Sequence, residues 1–317
     1  MTSRYYGRLP NSGKPRVRLH RAHLAVPHYQ APLAPVDNYS RLPAALWGMD
    51  DNDRLGCCTV ADVDHEIKSM DDYAGSLTFP QTTNAEIDTV YELFGYNPAD
   101  PATDQGAEMQ AVRAAWRKTG FVFGGIRDQI ALFAELDVAD VGLIQTALRE
   151  FGAIGLGINC PKSAEDQFDA GKDWVAVNPD GGIVGGHAIA LVGFDTNWLY
   201  VLTWGRVQRM SYSFWARYGE EVWVSLSQDY VDSTAGTAKG QRLYGLGAQF
   251  FLLTGQSNPF PAPVTPQPTP PPAPVPGRTT VDAEFAADLH LWLRERHVLE
   301  NHKLALAAKK WLIAMDL

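Results

Sequence analysis

The spacing of apolar and polar positions along this chain changes about halfway. Over residues 58–151 apolar positions recur at helical intervals. Val60, Val63, Ile67 and Met70 fall at i, i+3, i+7 and i+10, which lines one face of a helix. Asn84-Ala85-Glu86-Ile87 opens a second helical stretch, with Asn84 as its N-cap. A third runs from Gly106 to Thr119: Met109, Val112 and Trp116 share a face, Lys118 sits in the last turn and Gly120 stops it. A fourth covers Asp140 to Phe151, with Val141, Ile144 and Leu148 on one side and Gly152 as terminator. From Ala153 onward the pattern is strand-like: Ala153 to Asn159, Ile183 to Phe194, Trp198 to Trp204, Glu221 to Leu226 and Ala248 to Leu253. Helices first and antiparallel-looking strands second imply an α+β fold with segregated halves.

The flanks follow other rules. In residues 1–40, Pro10, Pro15, Pro27, Pro32 and Pro35 interrupt every possible helix, so this segment is expected to be an extended arm across the outside of the domain, with covering of a cleft as the alternative. The globular domain then spans residues 41–256. Residues 257–278 form a linker: of the 20 residues from Asn258 to Gly277, ten are proline, which implies polyproline II without a packed core. Residues 279–317 return to a helical pattern, with one stripe at Phe285, Leu289, Trp292 and Leu293 and a second at Leu304, Ala308, Trp311, Leu312 and Met315. A segment of about forty residues buries two tryptophans poorly by itself. The tail is therefore expected to dock on its own body, self-associate or bind a protein partner.

Composition narrows the class. At 317 residues, 45% hydrophobic and 20% charged, the chain is globular. No run approaches the ~18 apolar residues that span a bilayer, so no membrane span is expected. Met1 to Leu24 has no apolar core, which speaks against a secretory signal peptide and for a cytoplasmic or virion-associated protein. Three cysteines make no disulfide framework. Net charge is −9, yet Met1 to Leu24 holds six basic residues and no acidic one, so the remainder is more acidic than the whole. The arm is expected to lie against that acidic body, and the acidic body argues against a nucleic-acid binder. No glycine-rich phosphate loop precedes a helix and no paired ligand clusters occur at zinc spacing, so neither cofactor nor metal is expected.

Candidate chemistry starts at Asp51-Asn52-Asp53-Arg54-Leu55-Gly56-Cys57-Cys58-Thr59, where a polar loop runs into the first helix. A cysteine in a first helical turn faces unpaired N–H groups and the positive end of the dipole, which favour thiolate. A nucleophilic thiolate needs a base. His20, His23 and His28 lie in the arm, and His65 sits two turns along the same helix from Cys58. That leaves His187, entering an apolar strand after Gly185 and Gly186. Taken singly, Cys58 is as readily a small buried hydrophobe and His187 a satisfied core histidine.

Together these stretches resemble the papain-like cysteine peptidases. A cysteine opens the first long helix, a Gly-His-Ala-Ile-x-x-Val-Gly-Phe strand follows far downstream, and then comes Leu199-Tyr200-Val201-Leu202-Thr203-Trp204-Gly205, in the family's order over roughly residues 41–255. The loop is similar to a divergent microbial and phage-associated branch with an Asn-Asp-x-x-Gly-x-Cys-Thr motif. The resemblance implies Cys58 rather than Cys57 as nucleophile. It implies Asn52 and the Cys58 N–H as oxyanion donors, His187 as general base and Trp204 as its shield. The family's orienting asparagine falls at Leu202, which has no acceptor; Thr203 replaces it only if the strand register shifts by one. The implied function is a thiol-dependent hydrolase of peptide or amide bonds. The alternative is a papain-fold protein of weak or no catalysis, used for binding or structure in a larger assembly such as a virion or microbial complex. A transglutaminase- or amidase-like hydrolase would share the same pair. Cys57 is expected to be a bystander and Cys160 a buried structural thiol.

Overall fold

Helix α1 (Cys58–Ala74) runs between a helical layer and a sheet, and every residue from Cys58 to Met70 is buried. The computed structural model describes residues 4–13, 16, 18, 34–74 and 79–228, all within one compact unit, Met1–Pro263. The stripe Val60, Val63, Ile67 and Met70 packs with Ile87 and Val90 of α2 (Asn84–Glu92) and with Val112 and Trp116 of α3 (Met109–Thr119). The opposite, polar side of α1 would be solvated in an isolated amphipathic helix. Here the sheet covers it, and its charges are paired inside the protein.

The ends of these helices follow local chemistry. Helix α2 is capped by Thr83 rather than Asn84: Thr83 and Glu86 form a capping box, while the Asn84 amide donates to Asp51. Helix α3 is shorter than expected, because Ala107–Glu108 is a strand (β3, below) and the helix begins at Met109. Helix α4 (Val141–Phe151) is capped by Asp140 and closed by Gly152 at φ +88°.

The main sheet has seven strands, all paired antiparallel. β2 (Val36–Asp37) adds to β8 (Ile183–Phe194), and the spatial order of the others is β10 (Arg206–Ser211), β9 (Trp198–Thr203), β8, β7 (Ile154–Pro161), β11 (Gly219–Ser227) and β6 (Ile130–Leu136). The two halves are less segregated than the sequence pattern implies. The hairpin of β4 (Phe121–Phe123) and β5 (Ile126–Asp128) and then β6 precede α4, while α5 (Lys162–Asp169) and α6 (Tyr212–Tyr218) interrupt the strands. β6 (Ile-Ala-Leu-Phe-Ala-Glu-Leu) is apolar on both faces, so it shows no clean alternation. On the face away from α1, Leu143, Ile144, Leu148 and Phe214 pack with Leu156, Ile189, Val201 and Val224 into the largest core.

The arm corrects one expectation. Residues 4–9 do not cross the outside of the domain. They run inward, and β1 (Arg8–Leu9) pairs in parallel with β3 (Ala107–Glu108). Its basic residues do meet the acidic body: Arg4 pairs with Asp169, Arg8 with Glu221, and Arg16 and Arg18 with Glu135. The Ala248–Leu253 strand, the proline-rich linker and the helical segment 279–317 lie outside the described residues. No described helix is long and apolar enough to cross a membrane.

Candidate functional site

The geometry of the site begins at a two-residue turn. β9 ends at Thr203 and β10 starts at Arg206, its cross-strand partner, so Trp204-Gly205 makes the whole connection. Both residues have positive φ, +46° and +76°, as a type I′ hairpin turn requires. Glycine adopts this freely; for tryptophan it costs about 1–3 kcal/mol, sustained only where packing over-determines it. The Trp204 ring supplies that packing. It stacks on the His187 ring with centroids 4.5 Å apart and meets Phe168 and Trp174 edge-on.

His187 lies on β8 opposite Ile158 and is 1% exposed. Its Nε2 is 2.7 Å from Thr203 Oγ1, and its Nδ1 is buried without a partner among the described residues. In the tautomer that donates Nε2–H to Thr203, Nδ1 keeps its lone pair for an incoming proton. Leu202 faces the other side of the sheet, against Leu42, Trp47, Ala190 and Val192. The β8–β9 register breaks between Leu191 and Gly193, leaving Val192 as an extra residue at a bulge.

Cys58 is fully buried with Met109, Ala188 and Trp223. The backbone amides of Ala188, the residue after His187, and of Gly7 favour the charged form of its sulfur. Burial pushes the thiol up to about 11, reinforced by Asp62; the two amides and Arg8 act in the opposite direction. Burial likewise lowers the His187 imidazole to about 3, helped by Arg4, Arg8 and His65. Thiol and imidazole are thus both neutral. Removal from water thus opposes the thiolate that the helix N-terminus favours.

What removes the site from water is the arm. Asn52 Nδ2 donates to the Leu55 carbonyl at 3.1 Å and to the Tyr5 carbonyl at 3.3 Å. The Tyr6 ring meets His187 and Trp204 edge-on, with centroids at 5.9 and 6.3 Å, and its hydroxyl donates to Glu165. The Gly7 carbonyl accepts from Ala107 N–H at 2.7 Å. A Cβ on Gly7 would overlap the Gly56 carbonyl, and one on Gly106 would overlap the Gly7 carbonyl, so the arm threads between two bare backbones. One side-chain hub ties those walls together. Asp104 accepts from Gly56 N–H at 3.0 Å and from the Tyr91 hydroxyl at 2.7 Å, and that hydroxyl accepts from Gly106 N–H at 2.7 Å. Arg4 lies over the Trp204 ring at 4.4 Å.

The remaining candidates stand apart. The Cys57 thiol donates to the Asp50 carbonyl at 3.3 Å, and burial raises it well above the usual thiol range. Cys160 is buried beside the Tyr6 hydroxyl. Among the described residues, Asp50, Asp64 and His65 form a group that could hold a metal ion, with ligand atoms within 4.8 Å of one another. Lys68 bonds Asp64, and His65 Nε2 lies 3.1 Å from Asp50 and 3.0 Å from the Gly48 carbonyl oxygen. Pattern reasoning does not reach Tyr6, Gly7, Arg8, Asn159, Glu165 or Glu221. Its nearest signal is the contrast between a basic arm and an acidic body, which names no partners.

No protein-family model matches the chain, and no curated protein matches it. Solved structures do. Xylellain, a cysteine protease from Xylella fastidiosa, is 14% identical, with a TM-score of 0.53 over 71% of this chain and 97% of that one. The digestive procathepsin L2 proteinase from Tenebrio molitor larval midgut is 11% identical, with a TM-score of 0.52 over 71% and 78% of the two chains. The procathepsin B S9 from Trypanosoma congolense is 12% identical, with a TM-score of 0.50 over 70% and 86%. These neighbours are papain-like cysteine proteases, and the described body has their α+β fold.

Proposed function

We propose that this chain is a thiol-dependent hydrolase of peptide or amide bonds, held here in a closed form by its own N-terminal arm. The observation that carries this reading is His187: stacked under Trp204, bonded through Nε2 to Thr203 and with no partner at Nδ1 among the described residues, on the strand whose next residue, Ala188, packs against Cys58. Once the arm leaves, His187 Nδ1 takes the Cys58 proton, and the thiolate attacks the substrate carbonyl carbon. The Asn52 amide and the Cys58 N–H hold the oxyanion. His187 then protonates the departing amine, and water, deprotonated by the same imidazole, hydrolyses the thioester. Thr203 takes the place of the asparagine that orients histidine in the resembled family. Its hydroxyl accepts one hydrogen bond and fixes the tautomer.

A thiol-directed activity probe tests the reading. Cys58 should be the labelled residue, and His187→Ala should slow labelling at least about tenfold by removing the proton acceptor. Thr203→Val, which keeps the shape and deletes the acceptor, should slow it less. Labelling that is slow in the parent chain after arm release and indifferent to His187 rules the hydrolase out. It would leave the second reading, a catalytically silent binding protein, which is favoured by an arm that fills the cleft. We further propose that residues 279–317 dock the chain to a partner or a second copy. Deletion after Ser257 should then change oligomeric state or partner capture with labelling of Cys58 intact; a deletion that unfolds the body makes the tail part of the core.

A further inference from the structure

The Arg8 side chain occupies a site of its own within the cleft. It is 5% exposed, its Nη1 lies 2.8 Å from Glu221 Oε1, and its Nη2 lies 2.8 Å from Asn159 Oδ1. Glu221 is itself 4% exposed, and its second oxygen accepts from Trp223 Nε1 at 2.7 Å. The walls come from three adjacent strands: Gly186 on β8, Gly157 and Asn159 on β7, and Glu221 on β11. Glycine at 157 keeps the space open, since a Cβ there would meet Glu221 Cγ at 2.5 Å and Arg8 Cδ at 2.8 Å. A carboxylate aimed into a cleft is costly unless a cation meets it there.

We infer that Glu221, with Asn159, forms a subsite for a basic side chain, and that the peptides this cleft accepts carry arginine at the position Arg8 now fills. The inference rests on the hydrolase reading only for the claim that such peptides are substrates. When the arm leaves, Glu221 keeps the Trp223 donor and loses its counter-charge. A guanidinium restores both hydrogen bonds with its planar fork, and an aliphatic side chain leaves two polar groups unpaired.

The test separates the subsite from the chemistry. The full chain carrying Gly7→Val, to displace the arm, and Cys58→Ser, to block turnover, is titrated calorimetrically with acetyl-Tyr-Gly-Arg-Leu-amide and with its citrulline and leucine analogues. Citrulline has the shape of arginine without the charge. Arginine should bind roughly 30-fold or more tighter than citrulline, the scale for losing one partner of a buried charge pair. Glu221→Gln should collapse that gap. Equal binding of arginine and citrulline, or a gap that survives Glu221→Gln, overturns the subsite. With Cys58 restored, turnover of all three peptides without preference sinks the subsite and keeps the hydrolase; selective binding by a chain inert to thiol probes does the reverse. Should Gly7→Val not fold, Arg8→Ala empties the same pocket. Ethylguanidinium should then raise its melting temperature and ethylurea should not, and equal effects of the two count against the subsite.

Discussion

Gly7→Val should make Cys58 react with an uncharged thiol reagent roughly 10- to 100-fold faster, or more, in a chain that remains folded. A Cβ at this position overlaps the carbonyl oxygen of Gly56, a backbone atom with no rotamer to escape into. Overpacking of this kind costs about 1–3 kcal/mol or more, and each 1.4 kcal/mol shifts the closed–open equilibrium tenfold. The closed arm also has a pH signature with a definite sign. Closed, His187 is held near 3; open, it returns toward its ordinary 6.5. As pH falls through this window the open form binds a proton that the closed form refuses, so closure weakens by up to about tenfold per pH unit. The thiol acts at the other end, because Cys58 is held near 11 against an ordinary 9, so closure also weakens as pH rises between those values. Hydrogen exchange of the Ala107 amide, bonded to the Gly7 carbonyl, should therefore be most protected between about pH 7 and 9 once corrected for intrinsic rates. Maximal protection at pH 5, or unchanged Cys58 reactivity in Gly7→Val, contradicts this account of the arm.

Arg113→Met should be the most destabilising single change in the helical half, by about 3–5 kcal/mol. Arg113 is completely buried and bonds Asp62 Oδ2 at 3.0 Å and Glu66 on the hidden side of α1. Burial raises both carboxyls, Glu66 well above its usual range, where hydrogen bonding to Asp62 adds to the effect. Removing the guanidinium strands two carboxyl groups in a dry interior. For a body of this size the melting temperature should drop by roughly 6–20 °C. The loss should shrink in acid. With folded values raised above unfolded ones, the contribution of these carboxyls is present at low pH and is lost as pH rises through the usual carboxylate range and beyond. Adding Asp62→Asn and Glu66→Gln to Arg113→Met should restore part of the stability, since no uncompensated charge then remains. A calorimetric melt showing Arg113→Met within about 1 kcal/mol of the parent at pH 8 would falsify the buried triad as a stabilising unit.

The two halves of the site differed in how far they could be seen in advance. Cys58 and His187 stood out because each sits where a period begins: one at the first turn of an apolar stripe, one at the start of an apolar strand after two glycines. Thr203 could be named only conditionally. Which of two consecutive strand residues faces the histidine depends on register, and a bulge at Val192 in the neighbouring strand sets it. Leu202 and Thr203 are equally good strand residues in isolation. Nothing local marks Glu221 as different from any other acidic residue on a strand.

The sequence alone determined the elements whose cause is local. The stripe on α1 and the apolar runs of β7 and β8 record which face must leave water, and capping and glycine stops bound α4 within a residue. Tertiary structure decided the rest. The polar face of α1 is buried because a sheet built from residues 130–227 lies over it, so Asp62 and Glu66 meet Arg113 instead of solvent. The arm enters the cleft because Gly56 and Gly106 leave room for its backbone and Glu221, more than two hundred residues away, holds its arginine. Periodicity carries the burial of a face within one element. It carries no record of which distant charge will balance it, because that depends on the path of the whole chain.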